Sequence, residues 1–381
     1  MNRLFALILT TFLLLSGCRA VILNSQPGST PPIQVSPSPG LVSEATPTSV
    51  NSLIQIPLLV GYGVHGTWFD LYFTDPTNPN AKQITGGPDG PLVAAIDSAR
   101  LSVDAAIYSL SLNSVRAALI HAFRRGVHVR VVMESDNMDG TDPQLLIDAG
   151  IPLLGDRRQG LMHDKFMVID RSDVWTGSMN FTNDGAYKDN NNMLHIHSDK
   201  VADDYEAEFN EMFVDDKFGG DKRTVSPDPR VIIDGSPLDI YFSPEDHVQA
   251  SLLDLLNNAQ SSIYFLAYSF TSDPLGAVIR ERAASGIKVS GVMDAGQVES
   301  NIGTEYDAFR SAGVDVRLDA NNGLMHHKVM IIDGQIVVMG SYNFSASAEA
   351  VNDENVIVIY NHEIAEQYQS EFERVYTIAH P

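Results

Sequence analysis

The chain has 381 residues, 44% of them hydrophobic and 19% charged, with a formal net charge of −23. That is enough for two lobes of ordinary domain size, each able to bury a core, and too apolar for a disordered protein. The acidity counts against a partner held by a broad basic face, nucleic acid above all, although a basic pocket can sit inside an acidic total.

Met1-Asn2-Arg3 leads into an almost wholly apolar run from Leu4 to Leu15. The run is shorter than the ~20 residues of a membrane-spanning helix and matches the apolar part of a secretory signal. Cys18 is the only cysteine, which excludes an intramolecular disulfide and a thiolate zinc site. Leu15-Ser16-Gly17-Cys18 resembles the bacterial lipobox, in which the cysteine is lipidated and heads the exported protein. The resemblance implies anchorage to a bacterial membrane through Cys18, at roughly 0.8 kcal/mol per buried lipid methylene. Residues 19–51, with Ser29-Thr30-Pro31-Pro32 and Ser36-Pro37-Ser38-Pro39, cannot bury enough apolar surface to fold and read as a tether.

Beyond the tether the sequence repeats itself. Leu71-Tyr72-Phe73-Thr74 answers Ile240-Tyr241-Phe242-Ser243, and Ala106-Ile107-Tyr108-Ser109 answers Leu266-Ala267-Tyr268-Ser269. This predicts two homologous lobes, 52–225 and 226–381, with a crossing from about Gly219 to Pro237. Asn113 is positioned to cap a helix whose apolar residues Val115, Leu119, Ile120 and Phe123 follow a 3.6 period. Gly126 ends that helix, and a β-rich run from Val127 to Met133 follows. Leu275 to Ala284, Gly286, and Ile287 to Met293 repeat the pattern. The alternation predicts an α/β fold of two α/β/α sandwich lobes. Glu134 to Asp142 reads as a polar loop at a strand end, Trp68-Phe69 as core, and His195 and His197 as one face of a strand rather than metal ligands.

The chemistry concentrates in a motif that occurs twice. His163-x-Lys165, Asp170 and Gly177-Ser178-x-Asn180 have the same spacing as His326-x-Lys328, Asp333 and Gly340-Ser341-x-Asn343. A match of six specified residues arises by chance on the order of 10⁻⁸ per start position. Leu161 to Asp170 and Leu324 to Asp333 read as strands, which would aim His163 with Lys165 and His326 with Lys328. If the lobes pair about a pseudo-twofold axis, both sets converge on one anionic centre between them. Lys165, Lys328, Asn180, Asn343, Ser178 and Ser341 are then the candidates for holding phosphate oxygens, and no metal or other cofactor is called for.

The doubled motif resembles that of the phospholipase D superfamily, from about Trp68 to the C-terminus. The resemblance implies that His163 is a nucleophile forming a phosphohistidine and that His326 is the general acid and then the base. Asp170 and Asp333 would be structural. The family also implies a downstream carboxylate for each histidine: Glu354 stands in the second half, where it would serve His326. The aligned first-half residue is Asn191, a departure that Asp189 could make good. The activity so implied is headgroup hydrolysis of a glycerophospholipid at a membrane, by a monomer holding both half-sites. The alternatives are a nuclease of the same superfamily and a silent lipoprotein that binds anionic headgroups.

Overall fold

The computed structural model describes residues 53–223 and 226–380, so the signal-like run, Cys18 and the tether lie outside the described residues. Runs rich in Val, Ile and Phe favour extended backbone, and they sort into two sheets. The first holds β1 (Ile54–Ile56), β2 (Tyr62–His65), β3 (Phe69–Phe73), β4 (Ser102–Ile107), β5 (His128–Met133), β6 (Leu153–Gly155), β7 (Lys165–Ile169), β8 (Asp173–Gly177) and β9 (Asn192–His197). The second holds β10 (Arg230–Ile233), β11 (Ser236–Ser243), β12 (Ser262–Ala267), β13 (Lys288–Met293), β14 (Asp315–Leu318), β15 (Lys328–Ile332), β16 (Ile336–Gly340) and β17 (Glu354–Tyr360).

Their orders are β1-β2-β3-β9-β8-β7-β4-β5-β6 and β10-β11-β17-β16-β15-β12-β13-β14, the same topology apart from β1. β4, β5 and β6 run parallel, as do β12, β13 and β14, and the remaining neighbours are antiparallel. A parallel pair needs a crossover, which the amphipathic helices Asn113–Arg124 and Asp273–Ala284 supply. Gly126 and Gly286 end the crossovers at φ +90° and +96°, where a side chain is strained. Asn113 is the first helical residue rather than the cap, which is Leu112.

The outer face of each sheet packs on its own helices, Leu92 and Leu119 against Val103 in the first and Leu252 and Leu275 against Phe265 in the second. The inner faces do something the sequence did not reveal. Phe166 and Val168 of β7, Val329 and Ile331 of β15, and the helices Asp199–Phe213 and His362–Ile378 form one shared core. Each lobe therefore buries a core of its own and also shares a third with the other, and residues 51–381 are one compact unit. Both inner helices start on caps written in the sequence: Ser198 accepts the Val201 N–H and Asn361 the Ile364 N–H.

Two boundaries differ from expectation. The crossing is shorter than Gly219–Pro237, because β10 and β11 already form a hairpin there. The motif strands begin only at Lys165 and Lys328. The preceding residues are drawn away to the other lobe, so strand alternation does not explain how each histidine meets its lysine. No helix among the described residues is long and apolar enough to cross a membrane.

Candidate active site

Two short straps cross the seam between the lobes. Met162 forms a parallel bridge with Asp353, and Met325 forms one with Asn190. The His163 N–H donates to the Asp353 carbonyl (2.9 Å), and the His326 N–H to the Asn190 carbonyl (3.0 Å). Each histidine thus stands on backbone anchored in the opposite lobe. Two buried carboxylates support the straps from behind: Glu134 accepts the Met162 N–H at 2.9 Å and Asp294 the Met325 N–H at 3.0 Å. Both follow a Met at the end of a repeated strand, a signal that comparing Met133-Glu134 with Met293-Asp294 could have raised.

The partners of the imidazoles overturn one expectation. Nδ1 of His163 lies 2.7 Å from Glu354 Oε2, so Glu354 serves His163 and not His326. The physical reason is the strap: Asp353 bridges to the His163 segment, and the next residue carries its carboxylate across the seam. Nδ1 of His326 instead lies 3.0 Å from Asn191 Oδ1 and 3.1 Å from the Ser178 carbonyl. Asn191 is oriented by donating its Nδ2–H to the Gly185 carbonyl at 2.9 Å. Acceptors at both Nδ1 atoms keep the proton there and leave each Nε2 for chemistry. Asp189 does not replace the acid; it accepts the Leu324 N–H at 2.9 Å.

The serines also differ from expectation. The Ser178 hydroxyl donates to Asn191 Oδ1 (2.7 Å) and accepts the Asn192 N–H (3.1 Å). Ser341 accepts the Asn355 N–H (3.0 Å) and hydrogen-bonds Glu354. Both are fully buried and hold the histidines' partners, so neither hydroxyl is spare for phosphate. Asn180 and Asn343 each retain a buried side-chain oxygen without a hydrogen-bond partner among the described residues. The Lys165 ammonium donates to the His163 carbonyl, and Lys328 to the His326 carbonyl at 2.7 Å. They lie over the rings of Tyr108 and Tyr268, at 4.8 and 4.6 Å from the centroids. The same rings pack edge-on against His163 and His326 (4.7 and 4.6 Å). The repeat contained these tyrosines, but spacing gave no hint of their place.

Electrostatically the site lacks an anion. Burial, then the charges of Lys165 and Lys328, holds both histidines well below the imidazole range. Burial lowers Lys165 to about 7, against the attraction of Glu354 and Asp164. Burial and then Lys165 hold Lys328 well below its usual range, while burial raises Glu354 to about 7 against the pull of Lys165. A phosphodiester would supply the missing negative charge. For a soluble phosphodiester, kcat/KM is expected to hold up to about pH 7 and fall above it as Lys165 loses its proton in the free protein. A pH–rate profile still flat at about pH 9 would contradict this. In stability the sign is opposite. Between about 7 and 10.5 the unfolded chain carries more of this proton, so the penalty for burying Lys165 shrinks as pH rises through that window.

Asp170 and Asp333 stand away from the straps, at turns with φ +52° and +55°. The Asp170 carboxylate accepts the N–H groups of Arg100, Leu101 and Ser102, and Asp333 those of Gln260, Ser261 and Ser262. Asp170→Ala is expected to cost about 2–3 kcal/mol, since hydrogen bonds to a charged group are lost. Urea unfolding would show it, and an unchanged midpoint would contradict it. Trp68 and Phe69 are buried core residues. His195 lies between Asp70 (2.9 Å) and Asp173 (2.8 Å), stacked on Trp175, and His197 joins Asp173. Among the described residues, Glu208, Glu211 and Glu245 come close enough to share a cation. The buried ammonium of Lys222 already contacts Glu208 and Glu245 there.

Two imidazoles, two ammonium groups and two asparagine amides able to donate N–H bonds, shared by pseudo-twofold lobes, define a site built to handle a phosphodiester. The chain belongs to the phospholipase D superfamily. The family model described as cardiolipin synthase, PLD-like domain, matches residues 92–213 and 252–376, once per lobe. It is 32% identical over 133 residues to a mitochondrial cardiolipin hydrolase of Chlamydomonas reinhardtii, covering 34% of this chain and 59% of that protein. A phospholipase D of Rickettsia bellii is 32% identical over 133 residues, with 35% of this chain and 66% of that protein covered. The chain therefore spans about three fifths to two thirds of these relatives' length. Phosphatidylserine synthase of Haemophilus influenzae shares the fold, with a TM-score of 0.58, 14% identity and coverage of 81% of this chain and 86% of that one.

Proposed function

We propose that the protein is a phospholipase D-type phosphodiesterase that hydrolyses the headgroup phosphodiester of a glycerophospholipid through a phosphohistidine. The observation that carries this reading is the unequal pair of histidines, His163 on a buried carboxylate and His326 on a neutral amide. His163 Nε2 attacks phosphorus, the phosphorus–oxygen bond to the leaving alcohol breaks, and Glu354 stabilises the positive charge the ring acquires. His326 becomes doubly protonated beside the bound anion and gives its Nε2 proton to the leaving oxygen. Lacking a carboxylate partner, it releases that proton readily. It then takes a proton from water as the water oxygen displaces His163 from phosphorus. Lys165, Lys328, Asn180 and Asn343 hold the non-bridging oxygens.

The relatives named for phospholipase D and cardiolipin hydrolysis support a lipid substrate, and a net charge of −23 disfavours nucleic acid. Export and anchoring through Cys18 would keep a monomer at its substrate. The test is headgroup release from phosphatidylcholine and cardiolipin vesicles by the chain from Asn51 onward, with metal chelated and single-stranded DNA in parallel. Lipid turnover that vanishes in His163→Asn is expected. Cleavage of DNA alone would move the protein to the nuclease branch, and silence on all substrates would leave a binding role.

A further inference from the structure

The duplication leaves the two sides of the site unequal. On the His163 side the connection between the lobes is packed in place. The Gly219 N–H donates to Asp353 at 2.7 Å, and Lys222, fully buried, lies 3.1 Å from Glu245 and 3.2 Å from Asp353. Arg158 donates to the Val351 carbonyl beside them. A Cβ on Gly219 would come within 2.6 Å of Arg158 and 2.9 Å of the Val351 carbonyl, so no room is left.

The repeat puts Asn321, Lys188 and Pro76 at the positions of Arg158, Val351 and Glu245. Among the described residues, no segment equivalent to that connection packs at this second position. A cavity of about 960 Å³ stands there, lined by Pro76, Ile84, Tyr187, Lys188, Asn321 and Gly323 among others. Its wall continues into the second strap: Lys188 and Gly323 come three residues before Asn191 and His326. The Asn321 amide ties that wall together, donating to the Lys188 carbonyl at 2.9 Å and the Leu324 carbonyl at 3.2 Å.

We infer that this cavity receives the alcohol leaving phosphorus, and that the alcohol is bulky and amphiphilic, of the size of a glycerol lipid. The inference rests on the reading in which His326 protonates the leaving oxygen. In-line displacement by His163 places that oxygen opposite the nucleophile, on the side of His326, whose strap the cavity wall leads into at Gly323. The volume lies at the upper end of the roughly 300–1,000 Å³ of small-molecule sites. A small amino alcohol such as choline would leave most of it filled with water. Prolines, Ile84 and Tyr187 give it apolar wall, and the asparagines give it polar edge.

The test compares cardiolipin, whose leaving alcohol is itself a glycerol lipid, with phosphatidylcholine of the same acyl chains. Both are presented in detergent micelles to the full chain, with bis(p-nitrophenyl) phosphate as a small diester. Ala320→Trp and Asn322→Trp intrude on the cavity, and Gln159→Trp alters the counterpart of Asn322 on the filled side. The natural chain should favour cardiolipin in kcat/KM by about tenfold or more, the scale on which pocket contacts discriminate. Ala320→Trp and Asn322→Trp should abolish that preference while changing small-diester turnover by less than about twofold. Gln159→Trp should keep the preference. A natural chain without the preference, or a preference intact in both cavity variants, would overturn the inference while leaving the proposed activity standing. Turnover of none of the three substrates would overturn that activity and the inference with it.

Discussion

His163→Asn is expected to lower turnover of any phosphodiester by about 10³-fold or more, or roughly 4 kcal/mol of barrier, and to abolish the covalent intermediate. Asparagine is smaller and polar, and it stays on a strap held by the Asp353 carbonyl and by Glu134 acting through Met162. The fold has no reason to change, while the attacking nitrogen is gone. His326→Asn removes a proton donor instead. Its effect should be large with an alcohol leaving group and small in the first step with p-nitrophenolate, which leaves without protonation. The intermediate should then accumulate in His326→Asn and be missing from His163→Asn. Equal accumulation in both variants would contradict the division of roles.

Glu354→Gln should come next in size, at about 10²- to 10⁴-fold in the first step. The amide is nearly isosteric, but it lacks the charge that stabilises a phosphorylated imidazole. It can also turn an N–H toward Nδ1 and favour the wrong tautomer. Because Glu354 meets His163 at 2.7 Å, rapid-quench kinetics should show slower formation of the intermediate and nearly unchanged breakdown. Slower breakdown alone would return the carboxylate to His326, as the alignment of repeats had suggested. Asn191→Ala should cost less, because the Ser178 carbonyl still accepts from His326 at 3.1 Å.

The parts that were legible and those that were not divide along a physical line. Local patterns marked the repeated strands, the crossover helices and both motifs, because apolar periodicity and motif spacing act within one segment. What crosses the seam was hidden. The shared core of Phe166, Ile331 and the two inner helices follows from faces apolar on both sheets, and a sequence does not say whether such faces meet helices or one another. The partner of His163 sits 191 residues away in a different repeat, and aligning the repeats pointed to the wrong histidine. Ser178 and Ser341 matched the motif, yet their hydroxyls orient Asn191 and Glu354. Tyr108 and Tyr268 stood in plain view within the repeat, without any spacing rule to mark them as walls for the lysines.

The most direct test of the central claim is to locate the covalent adduct. His326→Asn would be mixed with a p-nitrophenyl phosphodiester, quenched in alkali, digested and analysed by mass spectrometry. A phosphoryl group on the peptide carrying His163 is the expected result. An adduct on any other residue, or none during active turnover, would contradict a mechanism in which His163, held by Glu354 from the opposite lobe, attacks phosphorus.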